Sequence, residues 1–75
     1  MKIFEIWMEG YAATGESGPA QLLGTKPGKT FMDAYLNYVK DFYGESPPDH
    51  VSLNKPSIWG CRIYDNEADA RKVFG

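Results

Sequence analysis

The clearest pattern of apolar and polar positions runs over residues 30–43, TFMDAYLNYVKDFY, and it has the period of a helix. At about 100° per residue, Phe31, Ala34, Tyr35, Tyr38, Val39 and Phe42 form one stripe, which Met32, Leu36 and Tyr43 widen. Asp33, Asn37, Lys40 and Asp41 remain for water, so the arc predicts a helix covered from two sides. Thr30 is placed to cap its start, Asp33 to suit the positive end of the dipole, and Gly44 to turn the chain away at its end.

The flanking stretches alternate instead, as strands do. In residues 2–9, Phe4, Ile6 and Met8 fall on one face, with Ile3, Glu5, Trp7 and Glu9 on the other. In residues 58–65, IWGCRIYD, the more apolar face is Trp59, Cys61 and Ile63, and the mixed face is Ile58, Arg62 and Tyr64. Residues 21–25, QLLGT, form a shorter strand candidate, and Pro27–Gly28 is turn chemistry before the helix. Residues 10–20, GYAATGESGPA, have no periodicity and predict a long loop or an irregular hairpin end. Residues 45–56 make a polar, proline-bearing loop that Val51 and Leu53 can pin. Asp65 or Asn66 then caps a short helix over residues 67–74, with acids first, Arg71–Lys72 last and Gly75 beyond. The order predicts a single α+β domain over residues 1–75. It consists of a small antiparallel or mixed sheet of about three strands, with one long and one short C-terminal helix packed on one face.

Composition changes the picture mainly by exclusion. Seventy-five residues lie near the lower limit for a chain that folds alone, so packing must be dense. One cysteine, Cys61, allows no internal disulfide, and one Cys with one His builds no metal framework. The density must come from aromatics, 15% of the chain, or from dimerisation. No apolar run approaches a membrane span, and the N-terminus lacks the pattern of a signal peptide, which implies a cytoplasmic setting. A net charge of −2 argues against a general electrostatic grip on nucleic acid.

Residues 24–30, GTKPGKT, stand between a strand and a helix, where the phosphate-binding loop GxxxxGK[ST] also stands. Gly24 precedes Gly28 by one position too few, and Pro27 removes a donor, so the segment reads as a turn followed by a cap. Tyr11 and Glu16 in the glycine loop, and Lys29 at the helix start, are secondary candidates for binding. Cys61 with His50 as base is excluded as a nucleophilic pair by its apolar strand face and by a histidine without an orienting partner. The carboxylates are scattered, and no pair flanks a cleft, so neither catalysis nor a cofactor is expected. The sharper candidate is a sheet face carrying Glu5, Trp7, Glu9, Arg62 and Tyr64, since Trp, Tyr and Arg are the residues of interface hot spots. Glu5 and Glu9 favour a protein, self or other, over a nucleic acid on that face.

The closing run over residues 59–75, of the form WGCR-x-[FY]-DNE-x-DARK-x-FG, and the GYAATG stretch over residues 10–15 resemble a group of very short uncharacterised proteins of bacteria, their phages and mobile elements. That resemblance implies no activity. Gly28, Thr30, Asp33 and Ala34 also resemble the start of the helix in HicB-type antitoxins, a pattern of capping chemistry shared by unrelated folds. The sequence therefore predicts a non-enzymatic protein-interaction or regulatory module, with a nucleic-acid-associated or host-defence-blocking role as the alternative.

Overall fold

The computed structural model describes residues 2–13 and 16–72, with the side chains of residues 12–17 left aside. Gly15 of the glycine loop, and the expected helix end at Val73 and Phe74 with Gly75 beyond, lie outside the described residues. The elements are β1 (Lys2–Met8), β2 (Tyr11–Ala13), β3 (Glu16–Gly18), β4 (Gln21–Gly28), α1 (Phe31–Tyr43), β5 (Ser57–Ile58), β6 (Cys61–Tyr64) and α2 (Glu67–Ala70).

Four strands form one antiparallel sheet in the order β4-β1-β6-β5, and β2 pairs with β3 in a separate ribbon. This corrects the expectation of about three strands with two C-terminal helices on one face. The long helix lies mid-chain, and the final helix has four residues.

Two local features account for the difference. Residues 58–65 are not one strand: Trp59 and Gly60 are the two central residues of a hairpin turn, with φ of 58° and 77°. Positive φ at both positions is what a type I′ turn requires, and glycine supplies it without steric cost. The strand candidate at residues 21–25 runs on to Gly28, through Pro27. A proline cannot donate to a ladder, but β4 is an edge strand, where that loss is tolerated.

α1 matches its sequence signature. The Thr30 hydroxyl accepts from the Asp33 N–H at 3.2 Å, and the Gly44 N–H donates to the Lys40 carbonyl at 2.9 Å, with Gly44 at φ 83°. The helix buries Ala34, Tyr35, Tyr38 and Val39 against Ile6, Val51, Ile58 and Ile63. Phe4, Met8 and Leu23 pack at the margin of this cluster. Phe4 also meets Phe31 edge to face, with ring centroids 6.0 Å apart. The face of β1 carrying Phe4, Ile6 and Met8 is therefore the core face.

Tyr35 is the central tie. It is fully buried, and its hydroxyl lies 2.7 Å from the Ser52 carbonyl and 2.9 Å from the Ser57 carbonyl. The Ser52 N–H donates to the Ser57 carbonyl, Trp59 N–H donates to the His50 carbonyl, and Val51 bridges Ile58. Residues 50–52 thus run beside β5 as an irregular extra strand, pinned from below by α1. On the opposite edge, Asn37 of α1 donates to the Pro27 carbonyl at 2.7 Å, and Lys26 of β4 is paired with Asp41. α2 begins at Asn66, whose side chain accepts from the Asp69 N–H at 2.8 Å. It lies against β6 and β1, and buries Ala70, whose carbonyl accepts from the Gly10 N–H. Among the described residues, no helix is long and apolar enough to cross a membrane.

Candidate functional site

Cross-strand register decides which side chains share the sheet face away from α1. Trp7 stands directly opposite Tyr64 on β6 and opposite Leu22 on β4. Directly paired residues project to the same side of a sheet, so Leu22, Trp7 and Tyr64 form a row across three strands. Met8 opposes Ile63 on the other side, and both belong to the core. A bulge in the β1–β4 pairing beside Trp7 lets Leu22 face outward while Leu23 turns to the core. Ile3 opposite Pro27 and Glu5 opposite Thr25 extend the outer face along β1. Ile3 is 68% exposed and Leu22 47% exposed, while Trp7 and Tyr64 are half-buried.

The face brings together four of the five residues expected on it. Glu5, Trp7, Arg62 and Tyr64 share it, and the Trp7 indole donates to the Glu5 carboxylate at 2.7 Å. Glu9 does something else. Its carboxylate accepts from the Arg62 backbone N–H at 2.8 Å, while its own N–H donates to the Arg62 carbonyl at 3.0 Å. A side chain thereby closes the ladder where β1 ends, and Glu9 does not pair with the Arg62 guanidinium. Ile58, expected on the mixed face, is a core residue, because the hairpin turn resets the alternation between it and Arg62.

Beside Tyr64 and Arg62 lies a hollow of about 440 Å³, lined also by Lys55, Pro56 and Gly60. Among the described residues, no carboxylate forms an ion pair with Lys55 or Arg62. The outer face is therefore polarised. Its β4–β1 part carries Ile3 and Leu22 with Glu5 as its acid, its β6 end is cationic, and Trp7 and Tyr64 stand side by side where the two parts meet.

Of the secondary candidates, Tyr11 has a packing role. The Tyr11 ring covers Gly18 across the ribbon, so closely that a Cβ on Gly18 would lie 2.4 Å from its Cε1. The Glu16 side chain lies outside the described residues. Lys29 is exposed at a shallow hollow shared with Asp33 and Asn37. A Cβ on neighbouring Gly28 would lie 2.6 Å from the Ala34 nitrogen and 2.8 Å from the Thr30 carbonyl oxygen. Gly28 is thus filled by the chain's own backbone, and the Thr30 hydroxyl is spent on its cap; residues 24–28 are the end of β4 and not the expected turn, and only Lys29 and Thr30 bend into the helix.

Cys61 and His50 do not form a nucleophile and base. Burial, and then the negative charge of Glu9, push the Cys61 thiol above its ordinary value. The His50 ring is stacked on Trp59, with centroids 3.7 Å apart and planes at 12°, and Tyr43 meets its edge at 6.0 Å. Trp59, expected in the core, is 71% exposed. A left-handed conformation costs a non-glycine residue about 1–2 kcal/mol. The stack on His50 and the backbone bond to its carbonyl hold Trp59 there. The sequence signal was a glycine one residue before the second strand half, the position glycine takes in two-residue turns. The tryptophan in the usual Asn or Asp place concealed it. No protein-family model matches this chain, and comparison with curated proteins and with solved structures finds no significant match.

Proposed function

We propose that the chain is a non-enzymatic interaction module that recognises a protein through the sheet face opposite α1. The observation that carries this reading is the row Leu22–Trp7–Tyr64 with Arg62 beside it. Trp, Tyr and Arg are the residue types enriched among the few that carry most of the energy in protein interfaces. The absence of catalysis is supported by the occupation of the reactive groups: Glu5 by an indole, Glu9 by a backbone N–H, His50 by two rings. A reducing cytoplasmic setting fits a chain with one cysteine and no disulfide. Nucleic acid is the second reading. It is favoured by the placement of Trp7 and Tyr64 on the two central strands, where base-stacking sheets carry their aromatics, and opposed by Glu5 on the same face.

The test is affinity capture from bacterial lysate with the wild-type chain, Trp7→Ala and Tyr64→Ala in parallel. Proteins retained by the wild type and lost by both variants support the reading. An identical set in all three lanes rejects it. Sedimentation over a concentration series identifies self-association: a dimer abolished by Trp7→Ala makes a second copy the partner.

A further inference from the structure

Given the contact face proposed above, we infer that the Lys55–Arg62 hollow is its anion subsite and takes a carboxylate from an acidic peptide segment of the protein partner. Three features of the face lead to this. The first is the pair of cations on one hollow, which no carboxylate among the described residues neutralises. The nearest acid along the ladder, Glu9, is committed to the Arg62 backbone N–H, which leaves the guanidinium fork to a ligand. Arginine binds a carboxylate through two parallel N–H···O bonds, and a lysine adds a point charge from the side.

The second feature is spacing. Arg62 and Tyr64 lie two residues apart on β6, which places their positions about 7 Å apart on one face. Leu22, Trp7 and Tyr64 step across the strands at about 5 Å each. An extended segment therefore meets the subsite and the aromatic row together when an acidic residue stands two positions from a bulky apolar one.

The third feature decides between a protein and a polyanion. The cations are confined to one end, and Glu5 stays on the face beside Trp7. A phosphate backbone crossing both rings would pass that carboxylate, whereas a segment with its acids at one end and apolar residues elsewhere would not. Charge and apolarity on the face thus match an acidic-then-apolar peptide.

The experiment is selection of random dodecapeptides displayed on phage against the chain of residues 1–75, followed by affinity measurement of the enriched peptides at moderate salt. The expected result is enrichment of Asp or Glu two positions from a bulky apolar residue. Affinity should fall about tenfold in Arg62→Ala and in Lys55→Ala, with partial retention in Arg62→Lys. Both positions are exposed, and circular dichroism of each variant checks that it stays folded. Peptides that need Trp7 but bind Arg62→Glu and Lys55→Glu as tightly as the wild type would overturn the subsite and leave the contact face standing. Failure to obtain any Trp7-dependent peptide would overturn both. A dodecathymidylate control that binds more tightly than the peptides, and is lost in Arg62→Ala, would assign the hollow to phosphate instead.

Discussion

Replacing Tyr35 by phenylalanine removes one oxygen and nothing else from a fully buried position. The ring keeps its place under the sheet, so no cavity larger than a hydroxyl forms. The carbonyls the hydroxyl serves do not suffer equally. The Ser57 carbonyl retains the Ser52 N–H at 2.9 Å, but the Ser52 carbonyl loses its partner at 2.7 Å. Leaving a buried acceptor unsatisfied costs about 1–3 kcal/mol, and Ser52 is only half-buried, so the lower part of that range applies: about 1–2 kcal/mol. For a domain of this size that lowers Tm by about 4–8 °C per kcal/mol. Tyr38→Phe is the control, because the Tyr38 ring stacks on Phe42 and its hydroxyl ties no carbonyl among the described residues. It should stay within about 0.5 kcal/mol of wild type. Urea unfolding followed by far-ultraviolet circular dichroism measures both, with an unchanged slope as the check that only stability moved.

A pH axis adds an independent reading. Burial raises the Tyr35 hydroxyl above its ordinary pKa, so its contribution is complete below the unfolded value and is lost as pH rises past it. Tyr38 is raised by burial as well. Wild-type stability should therefore fall on going strongly alkaline, and Tyr35→Phe should fall less steeply while keeping the Tyr38 share. Equal stability of Tyr35→Phe and wild type at neutral pH would refute the role of this hydroxyl in tying α1 to residues 52–57.

Four further outcomes follow from the packing. Gly28→Ala should cost about 1–3 kcal/mol or prevent folding, since its Cβ meets backbone atoms that cannot move aside; an unchanged urea midpoint would contradict this. Trp59→Asn should be more stable than Trp59→Val by about 1–2 kcal/mol, because asparagine accepts the left-handed turn and valine does not. Cys61 should react with a thiol reagent much more slowly in the folded chain than in urea at neutral pH, as its raised pKa keeps it protonated. Hydrogen bonding from Asn66, and then Lys72, holds Asp69 below the usual carboxylate range. Its support for α2 is present above the unfolded pKa and lost as pH falls through the lowered one. The Gly10 amide, bonded to the Ala70 carbonyl, should report that loosening in an acid titration by nuclear magnetic resonance.

Local chemistry explains which parts of this molecule are legible in its sequence. Thr30, Asp33 and Gly44 act within four residues of themselves, so α1 can be read with its caps. The two faces of β1 follow from alternation, and with them the shared face of Glu5, Trp7, Arg62 and Tyr64. What a period of two cannot show is where it restarts. The turn at Trp59–Gly60 moved Ile58 into the core and Trp59 out of it. Pro27 reads as a breaker unless one knows that β4 is an edge, a property of the whole sheet. The role of Glu9 depends on a residue 53 positions away, and the free state of Arg62 on what Glu9 does instead.

The central position of β1 has a consequence during synthesis. One side of β1 is matched by β4, complete at Gly28, and α1 then covers that pair by Tyr43. The other side waits for β6, which ends at Tyr64. At about 5–20 residues per second, the ribosome needs roughly 2–7 s to add the 36 residues between Gly28 and Tyr64, with Trp7 and Met8 lacking their β6 partners throughout. Until β6 is made, Trp7 and Met8 lack their partner on that side, and an unpaired strand edge is a template for pairing with another chain. Conditions that slow elongation past Tyr43 should lower the yield of native protein more than equal slowing before Gly28.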